Sequence, residues 1–196
     1  MSLSAAWRAA LADLDELIRS AAPFQGQCFR SVEIAYGLPD EVISGEGTRL
    51  HGGRFASAGV RAVFASLDEV TATSEVTARK ARLAGRAQIS IKSYPRITYD
   101  IAVEIKKCVD FRSVDGASDL GRALAAALDP SDLQVSQELG QYLLKKGVQA
   151  AIVPSVVSQG VNVIVFLDAD PAPRIEIANR KEILQAIEDL ARRIKK

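Results

Sequence analysis

Only one histidine, His51, and two cysteines, Cys28 and Cys108, occur in the 196 residues. The cysteines lie far apart with no CxxC pair, and a single histidine cannot complete a usual Cys/His zinc set. Neither a metal site nor a disulfide framework is therefore expected. An excess of one charge is also missing, since 25 Lys+Arg face 24 Asp+Glu for a formal net charge of +1. Without a global basic field or an acidic tail, direct nucleic-acid binding is not indicated and any anion site must be local. No apolar run approaches the roughly 20 residues that span a bilayer, and no basic segment followed by an apolar core opens the chain. A cytoplasmic protein without membrane contact is the expectation.

Several familiar motifs are absent as well. Gly45-x-Gly47 begins like a dinucleotide fingerprint, but Leu50 occupies the third glycine position and no strand-turn-helix unit surrounds it. A GxxxxGK[ST] phosphate loop does not occur. His51-Gly52-Gly53 has the look of an esterase oxyanion loop, yet no Gly-x-Ser-x-Gly elbow accompanies it and the one histidine already lies in that loop. Rossmann, P-loop and serine-hydrolase chemistries are thereby set aside.

What is present is 48% apolar residues with no repeat or linker, enough for a continuous core in one domain. Helical spacing of Trp7, Leu11, Leu14, Leu17 and Ile18 predicts an amphipathic helix over 2–20, stopped by Pro23. Residues 27–35 read as a strand carrying Arg30, whose side chain points either to solvent or into a cleft. A short strand follows at 60–65, and Ser66-Leu67-Asp68-Glu69 reads as a capping box opening a helix that Gly85 ends. On that helix Leu67, Val70, Ser74, Ala78 and Ala81 form one face, with Glu75 on its flank and Arg79 four residues on.

Residues 87–91 and 97–105 are strand candidates, and 110–114 a further short segment. Helices are expected over 117–128 and 132–146, strands at 150–154, 162–167 and 174–177, and an amphipathic helix over 181–196. The mixed order of elements favours an α+β fold.

The stretch Gly45 to Phe55 concentrates glycine, Arg49, His51 and Arg54. Glycines permit close backbone approach and guanidinium groups offer forked donors to phosphate or carboxylate oxygens, although the same composition also makes an ordinary surface loop. Arg30, Arg49 and Arg54, the carboxylate of Glu75, and Ser155 in the small-residue loop 155–160 are the candidate functional set.

In this order the set resembles the RES domain family, toxins of bacterial toxin–antitoxin modules. The resemblance rests on Cys28-Phe29-Arg30, on Gly47 to Phe55 with Gly59 following, on Val63-Phe64-Ala65-Ser66 leading to Glu75, and on Val153-Pro154-Ser155 before Asn162 to Phe166. It implies a single ADP-ribosyltransferase-like domain over 23–196, with a mixed sheet flanked by helices and preceded by an N-terminal helix over 1–22. It also implies an enzyme that consumes NAD⁺ without a metal, with ADP-ribose passing to phosphate, water or a protein acceptor. Glu75 and Arg30 would be catalytic, and Arg30, Arg49, His51, Gly53, Arg54, Phe64, Ser66 and Ser155 would line the NAD⁺ pocket.

The implied partner is an Xre-like antitoxin whose chain end covers the cleft, with DNA contact and oligomerisation running through that partner. Phe64 stands where the family commonly carries tyrosine, which keeps a ring and removes a hydroxyl. The alternative it leaves open is a non-catalytic binding module with a degenerate cleft.

Overall fold

The computed structural model describes residues 4–87 and 95–194, apart from a few side chains within them. The described elements run α1 (Ala5–Ala9), α2 (Leu11–Arg19), β1 (Ala22–Glu33), α3 (Pro39–Val42), α4 (Glu46–His51), β2 (Ala62–Ser66) and α5 (Glu69–Ala87). They continue with β3 (Arg96–Asp110), α6 (Asp119–Leu128), α7 (Gln134–Lys145), β4 (Ala150–Pro154), β5 (Val161–Phe166), β6 (Arg174–Ile177) and α8 (Arg180–Ile194). The expected α+β class with a mixed sheet and flanking helices is the one found.

The strands follow the order β1-β2-β5-β4-β3-β6, and β1 also pairs with β3. The first five strands therefore close on themselves. Side chains alternate across each strand, so the ring has an inside and an outside. Inside, Cys28, Val63, Tyr99, Ile101, Ala150, Ile152, Val163 and Val165 form one core. Burial there pushes the thiols of Cys28 and Cys108 up to about 12, and both cysteines are free. Outside, Val153, Ile164 and Phe166 from β4 and β5 join Trp7, Leu14, Leu124, Leu139 and Leu143 in a second core beneath α1, α2, α6 and α7. Trp7 is fully buried there, and its indole N–H donates to the Val135 carbonyl at 2.7 Å.

Several expectations are corrected by non-local contacts. The N-terminal helix breaks into two at Ala10, and β1 begins at Ala22, before Pro23. The Gly45–Phe55 stretch contains the short helix α4. The strand β3 ends at Asp110, so of the segment expected over 110–114 only the first residue lies in a strand. Apart from Ala87, which ends α5, the strand expected over 87–91 lies outside the described residues.

The capping box does not form. Ser66 is the last residue of β2, and its hydroxyl is donated to Asn162 at 2.8 Å. Asp68 caps α5 instead, accepting from the Thr71 N–H at 2.7 Å. Among the described side chains of α5, Thr71 and Ala72 are the buried ones, while Val70, expected on the packed face, is 74% exposed. Gly85 is passed through without ending the helix.

The N-terminal helices are tied to the second helical layer by Asp15, which accepts from Tyr142 Oη at 2.7 Å and faces Lys146 Nζ at 2.9 Å. Hydrogen bonding from Lys146, then from Tyr142, holds the Asp15 carboxyl below its ordinary 3.8. A carboxylate depressed in the folded state stabilises fully above its unfolded value, and that contribution is lost as pH falls through the folded value. Asp15→Asn should therefore lower the urea midpoint near pH 7, and the deficit should shrink as pH falls below the ordinary 3.8. Urea unfolding of both proteins across that range is the check.

Candidate functional site

Along the outer faces of β2 and β5 the side chains change from apolar to polar. Ala62 opposes Phe166, Phe64 opposes Ile164, and Ser66 opposes Asn162. The first two pairs belong to the outer core, whereas the third lies where the sheet leaves it. Two elements meet this polar end: helix α5, which follows β2 after a two-residue turn, and the loop 155–160 that joins β4 to β5.

Glu75 on α5 receives both. Its Oε1 accepts from Ser155 Oγ at 2.8 Å and from Asn162 Nδ2 at 2.5 Å. An ionised carboxylate only accepts, so the Asn162 amide must turn its nitrogen towards Glu75 and its oxygen towards the Ser66 hydroxyl. The Ser155 hydroxyl is oriented by its own loop, accepting from the N–H groups of Val157 at 3.1 Å and Ser158 at 3.2 Å, which directs its proton to Glu75. The loop is closed by Ser155 N–H donating to the Gly160 carbonyl at 2.9 Å. It is anchored to α5 by the 2.9 Å contact of Thr71 Oγ1 with Ser158 Oγ. A Cβ at Gly160 would fall 1.9 Å from Thr71 Oγ1, so only glycine allows this approach. Among the described residues, Oε2 of Glu75 has no hydrogen-bond partner.

Arg30 occupies the place where β1 and β2 part. Their backbone pairing is the single register Phe29 to Ser66. Beside it the half-buried guanidinium of Arg30 donates through Nη1 to the Phe64 carbonyl at 2.6 Å. The side chain is thus half-buried against β2 rather than extended from a solvent face. Phe64 thus does two things: its carbonyl receives Arg30, and its ring sits where a Cβ on Gly53 would touch it at 3.4 Å.

That second contact brings in the Arg54 turn. Gly53 and Ala56 form an isolated bridge with Arg54 and Phe55 at its corner, and Phe55 takes φ 65. Left-handed backbone is unusual for an aromatic residue and costs on the order of 1–3 kcal/mol. Burial of Phe55 to 2% exposure in the outer core compensates. Helix α7 holds the turn from below, with Gln137 Nε2 donating to the Gly53 carbonyl at 3.1 Å and Gln141 Nε2 to Ser57 Oγ at 2.6 Å. Arg54 itself is half-buried, and its charge helps hold the Asp129 carboxyl down, behind the larger effect of hydrogen bonds from Ser131.

Of the residues singled out in the sequence, Glu75, Ser155 and Ser66 share one network, and Arg30, Phe64 and Gly53 make a second set joined to it through β2. Arg49 and His51 are exposed on α4, where Arg49 binds Glu46 through two bonds of 2.8 and 2.5 Å. The Arg79 side chain lies outside the described part of the structure. Asn162 was not legible as a site residue, although a polar side chain in phase with Ile164 and Phe166 breaks an otherwise apolar strand face. Gln137 and Gly140, which support the Arg54 turn, carry no local signal.

A Cβ at Gly140 would fall 1.6 Å from the Phe55 carbonyl oxygen, a backbone atom that cannot rotate away. Gly140→Ala should destabilise the protein by about 1–3 kcal/mol, the usual range for overpacking, as read from urea unfolding.

Comparison with known proteins bears on what this arrangement is for. A chain in the crystal structure of the M. tuberculosis MbcT–MbcA toxin–antitoxin complex is similar, with a TM-score of 0.64 and 18% identity over 84% of this chain and 88% of that one. No curated protein matches the sequence. The model of the RES domain matches residues 7–186, from the buried Trp7 of α1 into α8 and across every site residue described above. The chain belongs to the RES domain family.

Proposed function

We propose that this protein binds NAD⁺ and breaks its nicotinamide–ribose bond, acting in the cytoplasm as the toxin of a toxin–antitoxin pair. The observation that carries the reading is the Glu75 carboxylate, oriented by Ser155 and Asn162 with one oxygen unpartnered among the described residues, in a chain of the RES domain family. The similar fold in a toxin–antitoxin complex supports the assignment to such a pair.

The residues fit a dinucleotide. Arg30 and Arg54 supply guanidinium groups for pyrophosphate or ribose oxygens, and Gly53 beside the Phe64 ring adds no side chain of its own there. The Phe64 ring offers a stacking surface for nicotinamide.

Cleavage develops positive charge on the ribose as the C1′–N bond breaks and its electron pair leaves with nicotinamide. A fixed carboxylate stabilises that charge, as in glycoside hydrolysis. Glu75 faces the sugar in this scheme, and Arg30 and Arg54 hold the rest of the dinucleotide in a reactive geometry. The acceptor is water, phosphate or a protein side chain; its oxygen forms the new bond to C1′ and its proton is released to solvent. The partner is an Xre-like antitoxin, through which DNA contact and oligomerisation would run.

Incubation with NAD⁺ should release nicotinamide, and Glu75→Gln should lower the rate on the order of 10²- to 10³-fold while the fold persists. Chromatography of nicotinamide with mass spectrometry of the ADP-ribose product checks both and identifies the acceptor. NAD⁺ binding in calorimetry without nicotinamide release would instead make the protein a non-catalytic binding module.

A further inference from the structure

We propose that Asn162, held by Ser66, is the positioning residue of Glu75, and that Glu75 works through Oε2. This inference rests on the reading of Glu75 as the carboxylate that faces the ribose.

Three observations carry it. Ser66 is 2% exposed, so its hydroxyl has no route to a bulky ligand, and it is spent on Asn162 Oδ1 at 2.8 Å. Asn162 Nδ2 then donates to Glu75 Oε1 at 2.5 Å. Ser155 Oγ adds its proton to the same oxygen at 2.8 Å, while its own acceptor capacity is taken by the Val157 and Ser158 N–H groups.

Two donors on one carboxylate oxygen do two things at once. They fix the rotation of the carboxylate plane, and they draw negative charge toward Oε1, leaving Oε2 as the oxygen directed at whatever enters. Without the donors, a glutamate on a helix face samples several rotamers and presents its oxygens interchangeably.

Ser66 and Asn162 are directly opposed in the β2–β5 register, so the sheet itself sets the distance. The relay is therefore as rigid as the strand pair that bears it, a favourable foundation for a side chain that must be placed to within about half an ångström. Ser155 comes from a loop, and its contribution depends on the Thr71–Ser158 anchor. Of the two donors, Asn162 is the one built on regular structure.

The test has a kinetic and a spectroscopic arm. Asn162→Ala, and the nearly isosteric Asn162→Asp, which exchanges the donor for an acceptor, should each lower kcat for nicotinamide release on the order of 100-fold with KM changed less than about three-fold. Ser66→Ala should lower kcat about ten-fold, the worth of one hydrogen bond, and Ser66→Thr, which keeps the hydroxyl, should restore it. In the spectroscopic arm, the Asn162 side-chain amide resonances should move on Ser66→Ala and on Glu75→Ala, in protein without NAD⁺. Wild-type kcat in both Asn162 variants, or amide resonances unmoved by both of the other substitutions, would overturn the relay. Wild-type protein that releases no nicotinamide overturns the proposed reaction instead, and the amide resonances then decide the relay alone.

Discussion

Two hydrogen bonds onto one oxygen of Glu75 hold this site together. Ser155 reaches that oxygen from the end of β4 and Asn162 from the start of β5, so the bonds join α5 to the pair of strands at the centre of the ring. A carboxylate at the edge of the core needs compensation for the water it has lost, and donors fixed by sheet register supply it without mobile side chains. The local glycine at 160, the Asp68 cap of α5 and the burial of Thr71 all follow from bringing helix and loop close enough for those bonds to form.

The strand β2 is the structural spine. Its outer face carries Ala62 into the core, then Phe64 at the core's margin, then Ser66 into the polar network. Arg30 attaches from one side through the Phe64 carbonyl, and the Arg54 turn approaches from the other through Gly53. Each cationic group is thus referred to the same strand as the carboxylate. In the proposed reaction, that common reference would let residues distant in sequence hold one dinucleotide in one geometry.

Much of the architecture could be read directly from the chain. The elements α6, α7, β4, β5 and β6 lie within about two residues of their expected places, because turn chemistry at Pro130 and Gly147 and compact apolar runs specify them locally. The reading failed where a local pattern competed with a distant partner. Ser66 and Glu69 have the spacing of a capping box, yet Ser66 finds Asn162 across the sheet and the helix takes Asp68 as its cap. Arg49, His51 and Arg54 are neighbours in sequence, but the first two are exposed on α4 while Arg54 is half-buried in the turn that follows it. The roles of Asn162 and of α7 under the Arg54 turn depend on contacts across more than eighty residues, and no window of sequence contains them.

A crystal structure with a non-hydrolysable NAD⁺ analogue, such as one with a carbocyclic nicotinamide ribose, tests most directly whether this network serves dinucleotide cleavage. The expected result is a nicotinamide ribose hydroxyl about 3 Å from Glu75 Oε2, with the Ser155 and Asn162 bonds to Oε1 intact and the pyrophosphate against Arg30 or Arg54. An analogue bound elsewhere, with Glu75 Oε2 facing only water, would contradict it.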